Sequence, residues 1–283
     1  MKILLTGAKG QLGQCIQQAF PKHWSLVAYD SKALDITNRE QVYHTITKEM
    51  PDVIINAAAY TAVDNAEEEV DKAFAINEKG ILNLAQVAKL CGTKMIHIST
   101  DYVFDGLYCE AYTEEMQTNP QSIYGQSKLA GEQSLISSID NAIIIRTAWV
   151  FSEFGQNFFL TMRRLFNERD ALSIVGDQIG NPTYAGDLAR AIIASIEKEI
   201  PAGIYHYSGN QSVSWYEFAQ YILDNCSDKI KTRVKLSKIT SNEYPQKAKR
   251  PQFSKLSNSK LSALGIAPSD WKLAVQKLSG NIV

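Results

Sequence analysis

The chain has 283 residues, a formal charge of −1, and 45% apolar and 21% charged residues. That length suits one large domain or two that share a boundary, and the near-neutral charge excludes a strong electrostatic pull toward nucleic acid or an anionic membrane. Cys15, Cys91, Cys109 and Cys226 form neither a C-x-x-C pair nor a zinc spacing, which argues against a metal site. The opening Lys-Ile-Leu-Leu run lacks the apolar core and cleavage site of a signal peptide, and no apolar stretch nears the roughly 20 residues of a membrane span. A reduced, cytoplasmic compartment is therefore expected, with a small-molecule partner and no nucleic acid or membrane.

In chain order, Lys2–Thr6 is expected as a strand, followed by a glycine turn and a helix over Leu12–Phe20. Ser25–Tyr29 is a second strand. Thr37-x-x-Glu40 reads as a capping box that opens a helix reaching Glu49. The Val- and Ile-rich Asp52–Asn56 segment is a third strand. Ala73, Ile76, Ile81, Leu84, Ala85 and Ala88 recur at helical spacing, which predicts one helix over Val70–Leu90 stopped by Gly92. Lys94–Ser99 is a fourth strand, Tyr124–Ser137 a helix and Ala142–Arg146 a fifth strand. Strands alternating with helices imply βαβ units, hence an α/β fold with a mostly parallel sheet covered on both faces. Beyond Trp149 the pattern loosens. Helices are expected over Asn157–Arg169, Ala185–Lys198 and Ser214–Asn225, the last capped by Ser212 or Ser214, with a late strand at Gly203–Tyr207. Lys229–Ser259, polar and interrupted by Pro245 and Pro251, reads as surface loops, and Trp271 lies in a short terminal helix.

Gly7-Ala8-Lys9-Gly10-Gln11-Leu12-Gly13 leaves the first strand and opens the first helix. A pyrophosphate needs close backbone approach and the donors of a helix N-terminus, so this placement points to a dinucleotide. Asp30 ends the second strand, where an acidic residue accepts ribose hydroxyls and favours NADH; Lys9, Lys32 and Arg39 would offset it, so NADH and NADPH both stay open. Of 13 tyrosines, only Tyr124 has a lysine four residues on, Lys128. One such pair is what chance delivers, but this one opens a helix after a strand that ends Ser99-Thr100-Asp101-Tyr102. Carbonyl reduction needs a proton donor, and a free phenol has a pKa of about 10 that a nearby ammonium lowers. Lys128 would lower that value and hold the nicotinamide ribose, while the Thr100 hydroxyl would orient the substrate oxygen.

The blocks GAKGQLG, NAAAYTAVD, STDYVFDG, YGQSKLAGE, RTAWVF and GNPTYAGDLA, in that order, resemble the dTDP-4-dehydrorhamnose reductase family of the extended short-chain dehydrogenases. The resemblance spans essentially the whole chain, including Arg250-Pro251 and Ser254-x-Leu256. It implies a Rossmann-type doubly wound sheet (residues 1–150 and 182–208) with a smaller, discontinuous substrate domain (151–181 and 209–283). It also implies NAD(P)H-dependent reduction of the C4 ketone of dTDP-4-dehydro-L-rhamnose. Carried over, Tyr124 is the proton donor, Lys128 its helper and Thr100 the residue that tunes it. Gly10, Gln11, Leu12, Asp30, Asp35, Ile36, Ala59, Tyr60 and Thr61 match cofactor contacts; Thr100, Asp101 and Trp149 match substrate contacts. Lys247 and Arg250 are candidates for the substrate diphosphate. Some relatives bind Mg²⁺ at a dimer interface through glutamates; Cys15 and Gly186 stand at those positions and suit no hard cation, which favours a monomer or weak homodimer.

Two other functions compete. A nucleotide-sugar epimerase or dehydratase would retain its NAD, and dehydratases place a second acid where Tyr102 stands. A non-catalytic cofactor-binding regulatory subunit would be free to lose Thr100, Tyr124 and Lys128, all of which this chain keeps.

Overall fold

A computed structural model describes residues 1–280. Its centre is a six-stranded sheet of β1 (Lys2–Thr6), β2 (Ser25–Tyr29), β3 (Val53–Asn56), β4 (Lys94–Thr100), β5 (Ala142–Thr147) and β6 (Gly203–His206). The order is β6-β5-β4-β3-β1-β2 and every pairing is parallel. The runs Ile3-Leu4-Leu5, Val53-Ile54-Ile55 and Ile143-Ile144-Ile145 are apolar at successive positions because helices cover both faces. Strand alternation sends Ile3, Leu5, Ile55 and Ile143 to one face, under helices Gln11–Ala19 and Ala185–Glu197. It sends Leu4, Ile54 and Ile144 to the other, under Arg39–Glu49, Gly80–Cys91 and Ile123–Ser138. The chain runs outward from β1 to β2 and then returns to β3 on the opposite side. The switch point between β1 and β3 opens a crevice at their carboxyl ends.

A separate apolar cluster holds Phe151, Phe159, Phe166, Phe218, Ile222 and Trp271. Its helices, Phe158–Glu168, Trp215–Asp224 and Trp271–Leu278, flank the β6 insertion in sequence. Ser214 caps the second of them in a complete capping box with Glu217.

Three expectations are corrected. The helix Arg39–Glu49 is capped by Asn38, not by a box at Thr37, because the Thr37 hydroxyl donates to Asp35 Oδ1 at 2.8 Å. The helix expected over Val70–Leu90 is interrupted by a π-turn at Ala75–Lys79, where buried Asn77 leaves the regular ladder. The Asn77 amide donates to the Tyr60 carbonyl and to Ser127 Oγ, and its Oδ1 accepts from the Tyr60 N–H. Finally, Lys229–Ser259 is not all loop: a helix spans Asp228–Arg233, and strand Lys235–Ile239 pairs in parallel with Ala171–Val175. Among the described residues no helix is long and apolar enough to cross a membrane.

Candidate active site

The glycine turn is built by exclusion. A Cβ on Gly7 would lie 2.6 Å from the Ala57 backbone, and one on Gly13 would lie 2.2 Å from the Gly7 carbonyl oxygen. The tight turn delivers Gly10 as the N-cap of helix Gln11–Ala19, and among the described residues no side chain caps that end. Its first-turn N–H groups, at the positive end of the helix dipole, are therefore available to phosphate oxygens, which is the fit a dinucleotide requires.

Helix Ile123–Ser138 starts at Ser122, whose hydroxyl accepts from the Gly125 N–H. Tyr124 lies in its first turn and Lys128 one turn on, both facing the end of β4. The Tyr124 ring packs with Tyr60, Ala66 and Ala73 and stands edge-on to Tyr102 with centroids 5.4 Å apart. Its hydroxyl contacts Thr100. Thr100 Oγ1 donates to Asp101 Oδ1 at 3.1 Å and accepts from the Tyr102 N–H. Lys128 Nζ donates to the Ile98 carbonyl at 2.6 Å.

The electrostatics differ from the expectation that lysine depresses the phenol. Burial pushes Tyr124 up to about 12, and the Thr100 contact opposes this only in part. Burial also draws Lys128 down to about 8, against the pull of Glu132. A phenol so placed holds its proton throughout the neutral range, which suits a donor to a developing alkoxide.

A cleft of about 790 Å³ gathers Gly10, Gln11, Leu12, Ala59, Thr61, Thr100, Asp101, Tyr124, Lys128, Trp149 and Arg250 on its walls. Trp149 has left-handed backbone (φ 48°), and its ring stacks on Trp215 at 3.5 Å and 5°. The remaining predicted residues do not line the cleft. Gly7 and Gly13 shape the turn. The Tyr60 ring is buried, and its backbone is tied to Asn77. Asp35 Oδ1 accepts from the Thr37 N–H and hydroxyl, and Ile36 packs in the core against Gly80. Asp30 accepts the Lys32 and Ala33 N–H groups and pairs with Lys9, which lowers its carboxyl below the ordinary value. Lys247 pairs with Glu68 away from the cleft, whereas Arg250 gives Nη2 to Asp64 at 2.8 Å and keeps a buried Nε with no partner among the described residues. Cys15 is buried, and burial pushes its thiol up to about 12; a Cβ on Gly186 would meet the Tyr184 ring.

Sequence reasoning missed Asp64, Asn157, Phe158 and Trp215, all on the cleft wall. Asn157 Nδ2 donates to Gln11 Oε1 at 3.0 Å, tying the second cluster to the glycine turn. A second cavity of about 790 Å³ shares Phe158, Trp215 and Arg250 with the first.

The RmlD substrate binding domain family model matches residues 1–282. The dTDP-4-dehydrorhamnose reductase of Aggregatibacter actinomycetemcomitans is 44% identical over 287 residues, covering 98% of each chain. The chain belongs to the dTDP-4-dehydrorhamnose reductase family. Among solved members of this family, that of Clostridium acetobutylicum superposes with a TM-score of 0.93 at 41% identity over 98% of each chain. The Bacillus anthracis reductase, solved in complex with NADP, gives 0.92 at 38% identity over 98% of this chain and 97% of its own.

Asp101 makes the reductase-family site sensitive to pH in a way that can be measured. Burial raises its carboxyl from 3.8 to about 6, with the Ser254 and Thr100 hydroxyls pulling the other way. Between about pH 4 and 6 the folded state thus keeps a proton that the unfolded chain releases, and stability falls as pH rises. Unfolding free energies of wild type and Asp101→Asn from denaturant titrations are expected to diverge through that window by on the order of 2 kcal/mol, with wild type losing ground. Parallel curves would remove Asp101 as a buried, proton-holding carboxyl.

Proposed function

We propose that this oxidoreductase reduces the C4 ketone of dTDP-4-dehydro-L-rhamnose with NADPH or NADH, giving dTDP-L-rhamnose for a surface polysaccharide. The carrying observation is convergence: Thr100, Tyr124 and Lys128 face one cleft with the uncapped helix N-terminus of the glycine turn. When bound, the nicotinamide cofactor supplies the hydride that adds to C4. Tyr124 gives its phenolic proton to the C4 oxygen as alkoxide character develops. Thr100 steadies the phenol and the ketone oxygen, and the Lys128 ammonium offsets the phenolate left behind. Trp149, stacked on Trp215, closes the sugar side of the cleft against water. Arg250, on the cleft wall, offers its guanidinium to the diphosphate.

Pairing with Lys9 neutralises Asp30, which removes the main electrostatic objection to a 2′-phosphate and supports use of either cofactor. Residues 1–150 and 182–208 hold the cofactor, and 151–181 with 209–283, of which 281–283 lie outside the described residues, carry the nucleotide sugar. The enzyme works as a monomer or weak homodimer in the cytoplasm. A spectrophotometric assay tests the reading: nicotinamide absorbance is expected to fall with dTDP-4-dehydrorhamnose and far less with UDP- or GDP-linked 4-keto sugars. Equal rates on all three would overturn the nucleotide assignment.

A further inference from the structure

Beside Lys128 the sheet carries a row of buried polar side chains that neither the glycine turn nor the sugar side of the cleft uses. Thr6 ends β1, Asn56 ends β3 and His97 lies in β4, all of them buried. Strand register sets Thr6 beside Asn56 and Asn56 beside His97. Thr6 hydrogen-bonds the Asn56 side-chain amide, that amide meets His97 Nδ1 at 2.9 Å, and His97 Nε2 faces Lys128 Nζ at 3.4 Å. Buried polar groups are costly unless they satisfy one another, and neighbouring positions of these strands are filled by isoleucine and leucine. The row ends on the one side chain that also reaches the cleft.

We infer that His97 is a positioning residue for the reduction: Nε2 takes one hydrogen of the Lys128 ammonium, the Ile98 carbonyl takes a second, and the third is left for the cleft. This rests on the proposed role of Lys128. An ammonium has three donors and no acceptor, so Nε2 must accept and Nδ1 must carry the ring proton. As placed, Thr6 donates to the Asn56 carbonyl oxygen and the Asn56 nitrogen faces His97 Nδ1 and, at 3.4 Å, the Ala58 carbonyl; the half-turn that exchanges the ends of an amide turns the oxygen to the ring and the nitrogen to Thr6. Asn56 on the neighbouring strand, held by Thr6 one strand further, thus sets the tautomer. Burial, reinforced by Lys128, holds the imidazole pKa well below its ordinary range, so the ring stays a neutral acceptor. The other ionisable groups around Lys128 are Tyr124 and Glu132 on its own helix and Asp101 at the end of β4, with Glu132 engaged by Arg146 of β5 at 2.7 Å. An acceptor on the ammonium favours the charged form, so removing it lowers the lysine pKa.

Glutamine can place a polar atom where Nε2 stands, and asparagine only where Nδ1 stands. The experiment compares pH profiles of kcat and KM, over about pH 6 to 9, for wild type, His97→Gln, His97→Asn and Lys128→Met. His97→Gln is expected within about threefold of wild type. His97→Asn is expected to lose about tenfold in kcat at pH 8, with its alkaline limb about one unit lower and the sugar KM within about twofold. An unmoved limb in His97→Asn, or equal loss in both ring variants, would overturn the inference. Thr6→Val, matched in shape, covers ring variants that do not fold: the limb should move the same way by less, and an unmoved limb again overturns it. Full activity in Lys128→Met would instead sink the role proposed for the lysine itself.

Discussion

Replacing Tyr124 by phenylalanine is expected to lower kcat for ketone reduction by about 10²- to 10⁴-fold while NADPH affinity changes by less than about threefold. The ring stays in its cluster with Tyr60, Ala66 and Ala73, and its edge contact with Tyr102 needs no hydroxyl. Only the proton and the Thr100 contact are lost. Since burial keeps this phenol protonated across the neutral range, wild-type rate should not rise steeply with pH through ionisation of Tyr124. Stopped-flow reduction and cofactor titration separate the two quantities. A variant with undiminished turnover would remove Tyr124 from the chemistry.

The second large effect concerns the cofactor turn. Gly7→Ala is expected to weaken NADPH binding by more than about 100-fold and to destabilise the chain by about 2–4 kcal/mol. Two costs add. Gly7 has φ +69°, which an L side chain adopts only with strain, and its new Cβ would press on the backbone of Ala57 and Ala58 at 2.6 Å, where β3 ends. Backbone at a strand end cannot swing aside as a flexible side chain would. Gly10→Ala is the contrast: its Cβ would come only to 3.2 Å of the Gly7 carbonyl and its φ is −70°. It should cost less than about 1 kcal/mol in stability, so a thermal melt orders the pair. Equal melting temperatures would show that the turn is looser than its geometry states.

Four strands of the main sheet were legible because their apolar runs are buried on both faces, and the edge strands Ser25–Tyr29 and Gly203–His206 because they are short and β-rich and alternate with helical patterns. The pair Ala171–Val175 and Lys235–Ile239 was not, since its polar residues face outward and Lys235, Ser237 and Lys238 read as loop. Apolar spacing ran unbroken through Val70–Leu90, so the π-turn that Asn77 needs left no periodic trace. At the site, Thr100, Tyr124 and Lys128 were legible because the tyrosine and lysine are one helical turn apart and the threonine ends a strand. Trp215, Asp64 and Asn157 reach the cleft from distant segments, and only tertiary packing assembles them. His97 gave no signal, being a lone histidine inside the apolar run of β4.

Hydride delivery to C4 of the sugar is the step on which the proposed function stands. The direct measurement supplies dTDP-4-dehydrorhamnose and NADPH with deuterium at both C4 positions of the nicotinamide, then locates the label in the sugar product by NMR. The expected result is dTDP-L-rhamnose with deuterium at C4 and one NADPH consumed per sugar. A reduced sugar without deuterium at C4, or a ketone left unreduced, would contradict it.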